Sequence, residues 1–186
     1  YEAEGEAAFY GPKIDVQVLS ALGHDVTLST VQLDYQLPEK FELEYVDENS
    51  EKVRPVVIHR AILGSLDRFT AFLLEETKGI LPLWLAPTQV KIVTVAEKFG
   101  EYAEQLKERL VERGIRVEVD NRNETIGKKI REAGLEKVPY TLIIGEKEIA
   151  EGSVAVRKRK VGDLGSMTET QFTERLLDEI KNKNRD

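Results

Sequence analysis

Two contrasting patterns predict an α/β chain, α+β overall, in which an antiparallel sheet is followed by a separate mixed-sheet unit. In the first half, short stretches of alternating apolar and polar residues are joined by tight turns, which is typical of antiparallel strands. In the second half, strand-like stretches alternate with segments of helical spacing, which predicts a mixed sheet flanked by helices. The segment LPLWLAPTQV, which contains two prolines, lies between the patterns, so we divide the chain into residues 1–84 and 85–186.

The first half is expected to form four strands and one helix. KIDVQVL, TLSTVQLDY and KFELEYV fit strands because apolar side chains recur at about every second position, with a shift in the second, and PVVIH fits a compact apolar strand. The period then changes, and apolar residues fall at helical spacing from about Ser65 to Glu76. Lys78 and Gly79 form a stop signal for this helix.

The second half is expected to follow the order βαβαββα. The predicted strands are QVKIVTVAE, IRVEVD, VPYTLIIG and SVAVRKRK, and the predicted helices are EYAEQLKERLVERG, NETIGKKIREAGLEK and TETQFTERLLDEIKN. Boundary residues support the helices: Gly114 ends the first, Asn123 precedes the second, and Thr168 with Gln171 forms a capping box for the third. Parallel and antiparallel neighbours should therefore coexist in one sheet.

Composition narrows the class of protein. The chain of 186 residues is 41% hydrophobic, and since no apolar run reaches membrane-spanning length, we expect a cytoplasmic protein that does not enter a membrane. It contains no cysteine, which excludes disulfides and thiolate metal sites built from these residues. The chain begins at Tyr1 and its single methionine is Met167, so we expect a piece of a longer protein.

Charge differs between the two halves. Residues 1–84 hold 7 Lys and Arg against 15 Asp and Glu, a balance of −8, whereas residues 85–186 hold 20 against 19, a balance of +1. Together they give the net charge of −7, which argues against a general polyanion binder. The second half can nevertheless carry a local basic face, so the two units are expected to have different partners.

The stretch RPVVIHRAILGSLDRF joins a predicted strand to a predicted helix. His59 lies at the strand end, where its side chain can face a cleft, and Arg68 lies in the first helical turn, where a phosphate would meet both amide dipoles and a guanidinium. Small residues between them would allow a ligand to approach closely, so we expect the guanidinium and the imidazole to face one hollow. A purely structural interpretation also stands: His59 is a satisfied strand-end histidine, and Arg68 pairs with Asp67 or Glu75.

Several long segments, in order along the chain, resemble one enzyme family. RPVVIHRAILGSLDRF resembles motif 3 of the class II aminoacyl-tRNA synthetases, and more narrowly that of the threonyl-tRNA synthetases. EAAFYGPKIDV, STVQLDYQLPEKFELEYV, LPLWLAPTQV, DNRNETIGKKIREA and VPYTLIIGEKE are similar to the same family. The resemblance implies that residues 1–84 are the C-terminal part of a class II catalytic domain, with part of its antiparallel sheet. It implies that residues 85–186 form an anticodon-binding domain.

The resemblance also implies a zinc ion. It assigns His59 as one of three protein ligands, the others being a cysteine and a second histidine outside this chain. A tetrahedral zinc with three protein ligands keeps one position open for substrate. In the family, threonine's amino and hydroxyl groups bind the metal, so valine is rejected because its side chain has no oxygen to offer.

Other substrate contacts are implied in the same way. Arg68 matches the motif 3 arginine that binds the ATP γ-phosphate, although Asp67 stands where the class usually has glutamate. Lys13 would lie near the nucleotide, and Tyr10 and Gln32 would lie beside threonine. From the residues alone, Tyr10 and Lys13 could equally belong to a simple turn with a solvated lysine, and Gln32 to the solvent side of a strand.

In the second half, the candidates for anticodon contact are Asn123, Arg131, Glu148 and Arg157, and the resemblance favours Glu148 and Arg157 among them. Unpaired bases are read through hydrogen bonds to their edges, supported by contacts to phosphates. Glu148 could accept a hydrogen bond from a base, and Arg157 could supply a cation. The alternative for the basic run around Arg157 is an ordinary solvated strand edge.

We therefore interpret the sequence as part of a threonine–tRNA ligase. Such an enzyme activates threonine with ATP and Mg²⁺ and transfers it to tRNA(Thr), and the complete enzyme is expected to be a homodimer. Because motifs 1 and 2 are not visible, these 186 residues alone should be inactive. Two alternatives stay open: a tRNA-binding module of the same fold without chemistry, and a small-molecule-binding α/β protein. The complete motif 3 stretch favours the ligase over the module, and Glu148 with Arg157 favours either over the third.

Overall fold

The structure, a computed structural model, describes residues 1–184 and divides into two compact units. The first unit is Tyr1–Gly79 and the second begins at Ile80. The division falls five residues before the expected joint, because Leu83 is buried in the core of the second unit and its carbonyl oxygen accepts a hydrogen bond from Gln89 Nε2 at 2.9 Å. Within the described residues, no helix has the length and apolar character needed to cross a membrane.

The first unit is built on a small antiparallel sheet. Its strands are β1 (Lys13–Leu19), β2 (Asp25–Asp34), β3 (Tyr45–Val46), β4 (Lys52–Val53) and β5 (Val57–Ala61), and its helices are α1 (Gln36–Lys40) and α2 (Leu66–Thr77). Three strands form one sheet in the order β1-β2-β5, while β3 and β4 pair separately. Helix α2 starts as predicted, because the Ser65 side chain accepts from the Arg68 amide, and it ends at Lys78 in a left-handed conformation.

The prediction of a strand over KFELEYV is wrong for most of its length. Only Tyr45–Val46 is extended, and the chain before it forms helix α1 and a turn. The reason lies upstream, since Asp34 Oδ1 accepts hydrogen bonds from two successive backbone amides at 2.9 Å each and so starts a helical turn. Pro38, in the first turn of α1, suits that position because its missing N–H would have no helical partner.

The second unit has a five-stranded mixed sheet with helices on both faces, which confirms the predicted architecture. Its strands are β6 (Val90–Thr94), β7 (Val117–Asp120), β8 (Tyr140–Ile144), β9 (Ser153–Lys158) and β10 (Gly162–Thr168), and its helices are α3 (Gly100–Glu112), α4 (Ile126–Leu135), α5 (Glu146–Glu151) and α6 (Glu169–Lys181). The strand order is β10-β9-β8-β6-β7. Strands β6, β7 and β8 are parallel, and β9 and β10 are antiparallel additions. The predicted capping box of Thr168 and Gln171 is present.

Two elements of the second unit were not predicted. Strand β10 has two glycines in seven residues and weak alternation, so its pairing with β9 depends on the neighbouring strand rather than on local preference. Helix α5 has six residues, which is too short to show a helical period. Helix α4 begins at Ile126, after a Thr125 cap, rather than directly after Asn123.

Helices α3 and α4 occupy opposite faces of the sheet because the crossovers from β6 to β7 and from β7 to β8 run in opposite directions. Strands β7 and β8 lie on either side of β6, so right-handed connections place α3 on one face and α4 on the other. On the α3 face, Leu106 packs in one buried cluster with Ile92, Leu142 and Phe172, the last from α6. On the α4 face, helix α4 buries Lys129 against the sheet.

A polar cluster fastens α6 to the sheet. Glu179 accepts hydrogen bonds from the Tyr140 hydroxyl at 2.8 Å, from Lys158 Nζ at 3.0 Å and from Arg175 Nε at 3.3 Å. Burial alone raises the pKa of Glu179, but the hydrogen bonds from its three donors and the charge of Lys158 outweigh it, and the pKa lies below its usual value. The carboxylate is therefore charged at neutral pH and joins α6 to β8 and β9.

We expect Glu179→Gln to lower the free energy of unfolding of the second unit by about 2 kcal/mol, because Lys158 loses a charged partner in a mostly buried site. Urea denaturation followed by circular dichroism measures this. The loss should be full at neutral pH and vanish as the pH falls through the lowered pKa of Glu179, where the wild-type carboxyl is protonated as well. Glu174→Gln, at an exposed position of the same helix, is the control. Equal effects of both variants would contradict the prediction.

Candidate functional site

Three predicted site residues form one row across the antiparallel sheet. Lys13 on β1 lies opposite Gln32 on β2, and Gln32 lies opposite His59 on β5. Residues directly opposite each other in a sheet share a face, so all three side chains are on the same side. Tyr10 joins the row from the segment before β1, since its hydroxyl donates to Gln32 Oε1 at 2.6 Å.

A close backbone approach holds Tyr10 beside the sheet. The Tyr10 carbonyl oxygen accepts from the Tyr35 amide at 3.1 Å, and the Pro12 carbonyl oxygen accepts from the Leu33 amide at 3.0 Å. Gly11 lies between them, and a Cβ atom there would stand 2.3 Å from the Leu33 carbonyl oxygen. Only glycine fits this contact, so the glycine of FYGPKID determines where the tyrosine ring is placed.

The row opens into a cavity of about 390 Å³, within the size range of small-molecule sites. Its walls combine polar and apolar groups from three parts of the first unit. They are formed by Phe9, Tyr10, Gln32, Asp34, Gln36, Leu37, Lys40 and His59. The rings of Tyr10 and His59 meet edge to face with their centroids 6.0 Å apart.

Asp34 is a residue of this cavity that sequence reasoning missed. Its carboxylate is 1% exposed, and Oδ2 lies 2.8 Å from His59 Nε2. Burial raises the pKa of Asp34, but hydrogen bonds from the Leu37 amide, His59 and the Gln36 amide lower it overall. The available signal was the alternation in STVQLD, which puts Asp34 on the same strand face as Gln32.

Arg68 does not reach the wall of this cavity. It lies exposed in the first turn of α2, and its backbone amide donates to Ser65 Oγ at 3.3 Å. The expectation that its guanidinium and the His59 imidazole line one hollow is therefore not met among the described residues. Lys13 shares the face of the row but does not line this cavity; its Nζ forms an ion pair with Asp15 Oδ2 at 2.7 Å, and the residue borders a neighbouring cavity of about 560 Å³.

In the second unit, Asn123 lies in the loop that leads into α4, and charged contacts fix both ends of that loop. Arg122 donates to Asp120 through Nε at 2.9 Å and Nη2 at 2.6 Å. The Arg122 hydrogen bond is the largest influence on Asp120 and lowers its pKa. Lys129, 1% exposed, donates from Nζ to the Thr94 carbonyl oxygen at 2.9 Å and ties α4 to the end of β6.

Arg157 and Glu148 are near opposite ends of β8. Arg157 pairs with Thr141 near the start of β8, whereas Glu148 lies in α5, after the strand has ended. Gly145 is four positions after Thr141, a distance of about 13 Å along an extended strand. The two side chains are therefore placed for separate contacts rather than for one shared group.

The surroundings of these two residues also differ. Glu148 Oε2 accepts from the Gly145 amide at 3.0 Å. Arg157 is exposed and borders a groove of about 360 Å³ on the α4 face of the sheet. The groove is also lined by Ile130, Gly134, Val138, Thr141, Lys158, Arg159, Lys160, Val161 and Gly162. Arg131 is exposed on α4, next in sequence to a residue of this groove.

Comparison with protein families gives two matches that together cover most of the chain. Residues 2–77 match the tRNA synthetase class II core domain (G, H, P, S and T). Residues 89–179 match the anticodon binding domain.

Individual relatives agree with these matches. The chain is 53% identical over 180 residues to a threonine–tRNA ligase of Carboxydothermus hydrogenoformans and 54% identical over 182 residues to that of Halalkalibacterium halodurans. Each alignment covers 97% of this chain and 28% of the relative, so the chain spans less than a third of the relatives' length. A crystal structure of the RNA binding domain of threonyl-tRNA synthetase from Cryptosporidium parvum Iowa II has a TM-score of 0.85 and 42% identity. That alignment covers 94% of this chain and 44% of the other.

Proposed function

The chain belongs to the class II aminoacyl-tRNA synthetases, in the threonine–tRNA ligase family, and we propose that it forms the part of such an enzyme that holds threonine and the anticodon. The complete enzyme would activate threonine with ATP and Mg²⁺ and transfer it to tRNA(Thr). The observation that carries the proposal is the convergence of Tyr10, Gln32 and His59 on one cavity. The resemblance assigns these three residues to threonine or to the zinc ion that binds it. A homodimer and a cytoplasmic location of the complete enzyme are part of the same proposal.

The cavity offers polar groups that suit threonine. Because the Tyr10 hydroxyl donates to Gln32 Oε1, the tyrosine oxygen keeps its lone pairs and the Gln32 amide keeps its N–H groups. The first can accept from an ammonium or hydroxyl group, and the second can donate to a hydroxyl or carboxylate. A ligand without a side-chain oxygen would leave such groups without a partner on the ligand, which costs affinity.

His59 would supply one nitrogen ligand to the zinc ion of the family. An imidazole backed by a carboxylate is a common arrangement for a metal-binding histidine, so the donor chemistry fits. Residues 1–184 contain no group of three His, Cys, Asp or Glu side chains that could hold a metal, so the other ligands would come from outside them. When bound, the zinc would act as a Lewis acid that takes threonine's amino and hydroxyl groups.

Arg68 would act on ATP from outside the threonine cavity. It lies in the first turn of α2, and both the positive end of a helix and a guanidinium favour a phosphate. Its contribution would be positional and electrostatic, holding the triphosphate while the threonine carboxylate attacks the α-phosphorus in line. Lys13 would lie near the same nucleotide.

The α4 side of the second unit would bind the anticodon. Asn123 and Glu148 follow the carboxyl ends of β7 and β8, whereas Arg157 lies near the amino end of β8. Arg131 lies on α4, between the side of the sheet with the carboxyl ends of β7 and β8 and the side with the amino end of β8. A single strand of RNA running along this side could meet a carboxylate, an amide and two guanidinium groups in turn, which supports reading of more than one base.

In the complete enzyme, we expect Arg68→Ala to slow threonine-dependent ATP–pyrophosphate exchange by about 100-fold, because a group that holds the triphosphate in position for attack on its α-phosphorus is lost. Anticodon affinity should change less than about twofold, since the arginine lies in the other unit. Stopped-flow or exchange kinetics together with filter binding of tRNA measure the two effects. The control is Arg60→Ala, which removes an exposed arginine from β5. An unchanged exchange rate in Arg68→Ala would refute the assignment.

Arg157→Ala should have the reverse effect. We expect the Kd for tRNA(Thr) to rise about 10-fold or more, from the loss of a contact worth about 1–3 kcal/mol, with normal ATP–pyrophosphate exchange. Arg113→Ala is the matched control, because Arg113 is an exposed arginine at the end of α3, on the opposite face of the sheet. If Arg68→Ala and Arg157→Ala impaired the same step, the division of labour between the units would be wrong.

A further inference from the structure

The contact between Asp34 and His59 has a direction that determines which ring nitrogen is available to a ligand. Asp34 is held on both of its oxygens. Oδ1 accepts from the Gln36 and Leu37 amides at 2.9 Å each, and Oδ2 lies 2.8 Å from His59 Nε2. Since both amides are donors, Oδ1 cannot turn away without leaving two N–H groups unpaired at the start of α1.

An ionised carboxylate only accepts hydrogen bonds, so His59 must donate from Nε2. A neutral imidazole carries one proton, and with that proton on Nε2 the lone pair lies on Nδ1. The side chain of His59 is 42% exposed and borders the cavity, whereas that of Asp34 is 1% exposed. The carboxylate is thus the fixed partner, and the ring is the group that meets a ligand.

We propose that Asp34 is a positioning residue that holds His59 as the Nε2–H tautomer and leaves Nδ1 as the atom that binds a divalent cation. The inference rests on the proposed function for the identity of the cation, zinc, but the tautomer itself follows from the contacts of this chain. The same carboxylate also starts helix α1, whose residue Leu37 forms part of the cavity wall. The buried Asp34 side chain therefore positions both a part of the cavity wall and the ring nitrogen of His59 that binds the cation.

Replacing Asp34 with asparagine should reverse the tautomer without removing the helix cap. The amide oxygen must take the place of Oδ1, because two backbone N–H groups point at it. The amide NH₂ then takes the place of Oδ2 and donates to His59 Nε2, which moves the ring proton to Nδ1. The same logic explains how an aspartate-to-asparagine change at a serine-protease triad produces the wrong histidine tautomer.

The chain is suited to a direct test, because it has two histidines and His24 lies exposed in a turn. With ¹⁵N-labelled histidine, two-bond ¹⁵N–¹H correlation spectra above the usual histidine pKa show which nitrogen carries the proton. We expect Nε2–H for His59 in the wild type and Nδ1–H in Asp34→Asn. Asp47→Asn is the matched control, since Asp47 Oδ1 also accepts from two backbone amides, of Asn49 and Glu51. It should leave the His59 spectrum unchanged.

The second measurement is zinc affinity of the complete enzyme, by competition with a chromophoric chelator. Asp34→Asn should weaken zinc binding about 10- to 100-fold, and Asp47→Asn should not change it. A wild-type His59 with its proton on Nδ1, or a wild-type zinc affinity in Asp34→Asn, would overturn the proposal. If Asp34→Asn fails to fold, the wild-type spectrum still decides. A complete enzyme that binds no zinc would refute the metal role proposed for His59, whereas the spectra would still decide the tautomer.

Discussion

The register of β2 between β1 and β5 is the constraint on which the first site depends. Gln32 lies between Lys13 and His59 only in this register, and a slip of one residue would turn His59 to the other face of the sheet. The polar row is then closed by short local contacts: Tyr10 reaches Gln32 because Gly11 allows close approach, and Asp34 reaches His59 diagonally. The cavity is thus a product of strand pairing rather than of any one motif.

The second unit follows a different physical rule. The burial of an apolar core between the sheet and the helices on both faces determines how its elements pack. Charged side chains then attach particular helices to the sheet. Lys129 ties α4 to β6, and Glu179 ties α6 to β8 and β9. The residues proposed to contact RNA lie in loops and on exposed surfaces around this frame, where side chains are free to change partners.

Sequence patterns predicted the elements whose signals are local. Alternation located β1 and β2, and the side chains of Ser65 and Thr168 marked the starts of α2 and α6. Helix α1 was missed because its start depends on one side chain, that of Asp34, bonding to the following backbone. Strand β10 was missed because β9 supplies its pairing. The residue preferences of a short segment indicate neither the side-chain bonds that start α1 nor the pairing that forms β10.

The sequence predicted only part of the site, again because some of its contacts depend on the pairing of distant strands. The resemblance to a family identified Tyr10, Gln32 and His59, and pairing brings them together, but the role of each is still a prediction. It did not identify Asp34, whose contact with His59 depends on register between distant strands, and the expectation that Arg68 and His59 face one hollow is not met in the described residues. The central claim is that the face of β2 carrying Gln32 binds threonine. The most direct test is the threonine Kd of the complete enzyme, measured by calorimetry for Gln32→Leu and for Gln17→Leu, an exposed glutamine on β1. The account predicts a Kd raised about tenfold or more in Gln32→Leu and unchanged in Gln17→Leu. Equal affinities in the two variants would contradict it.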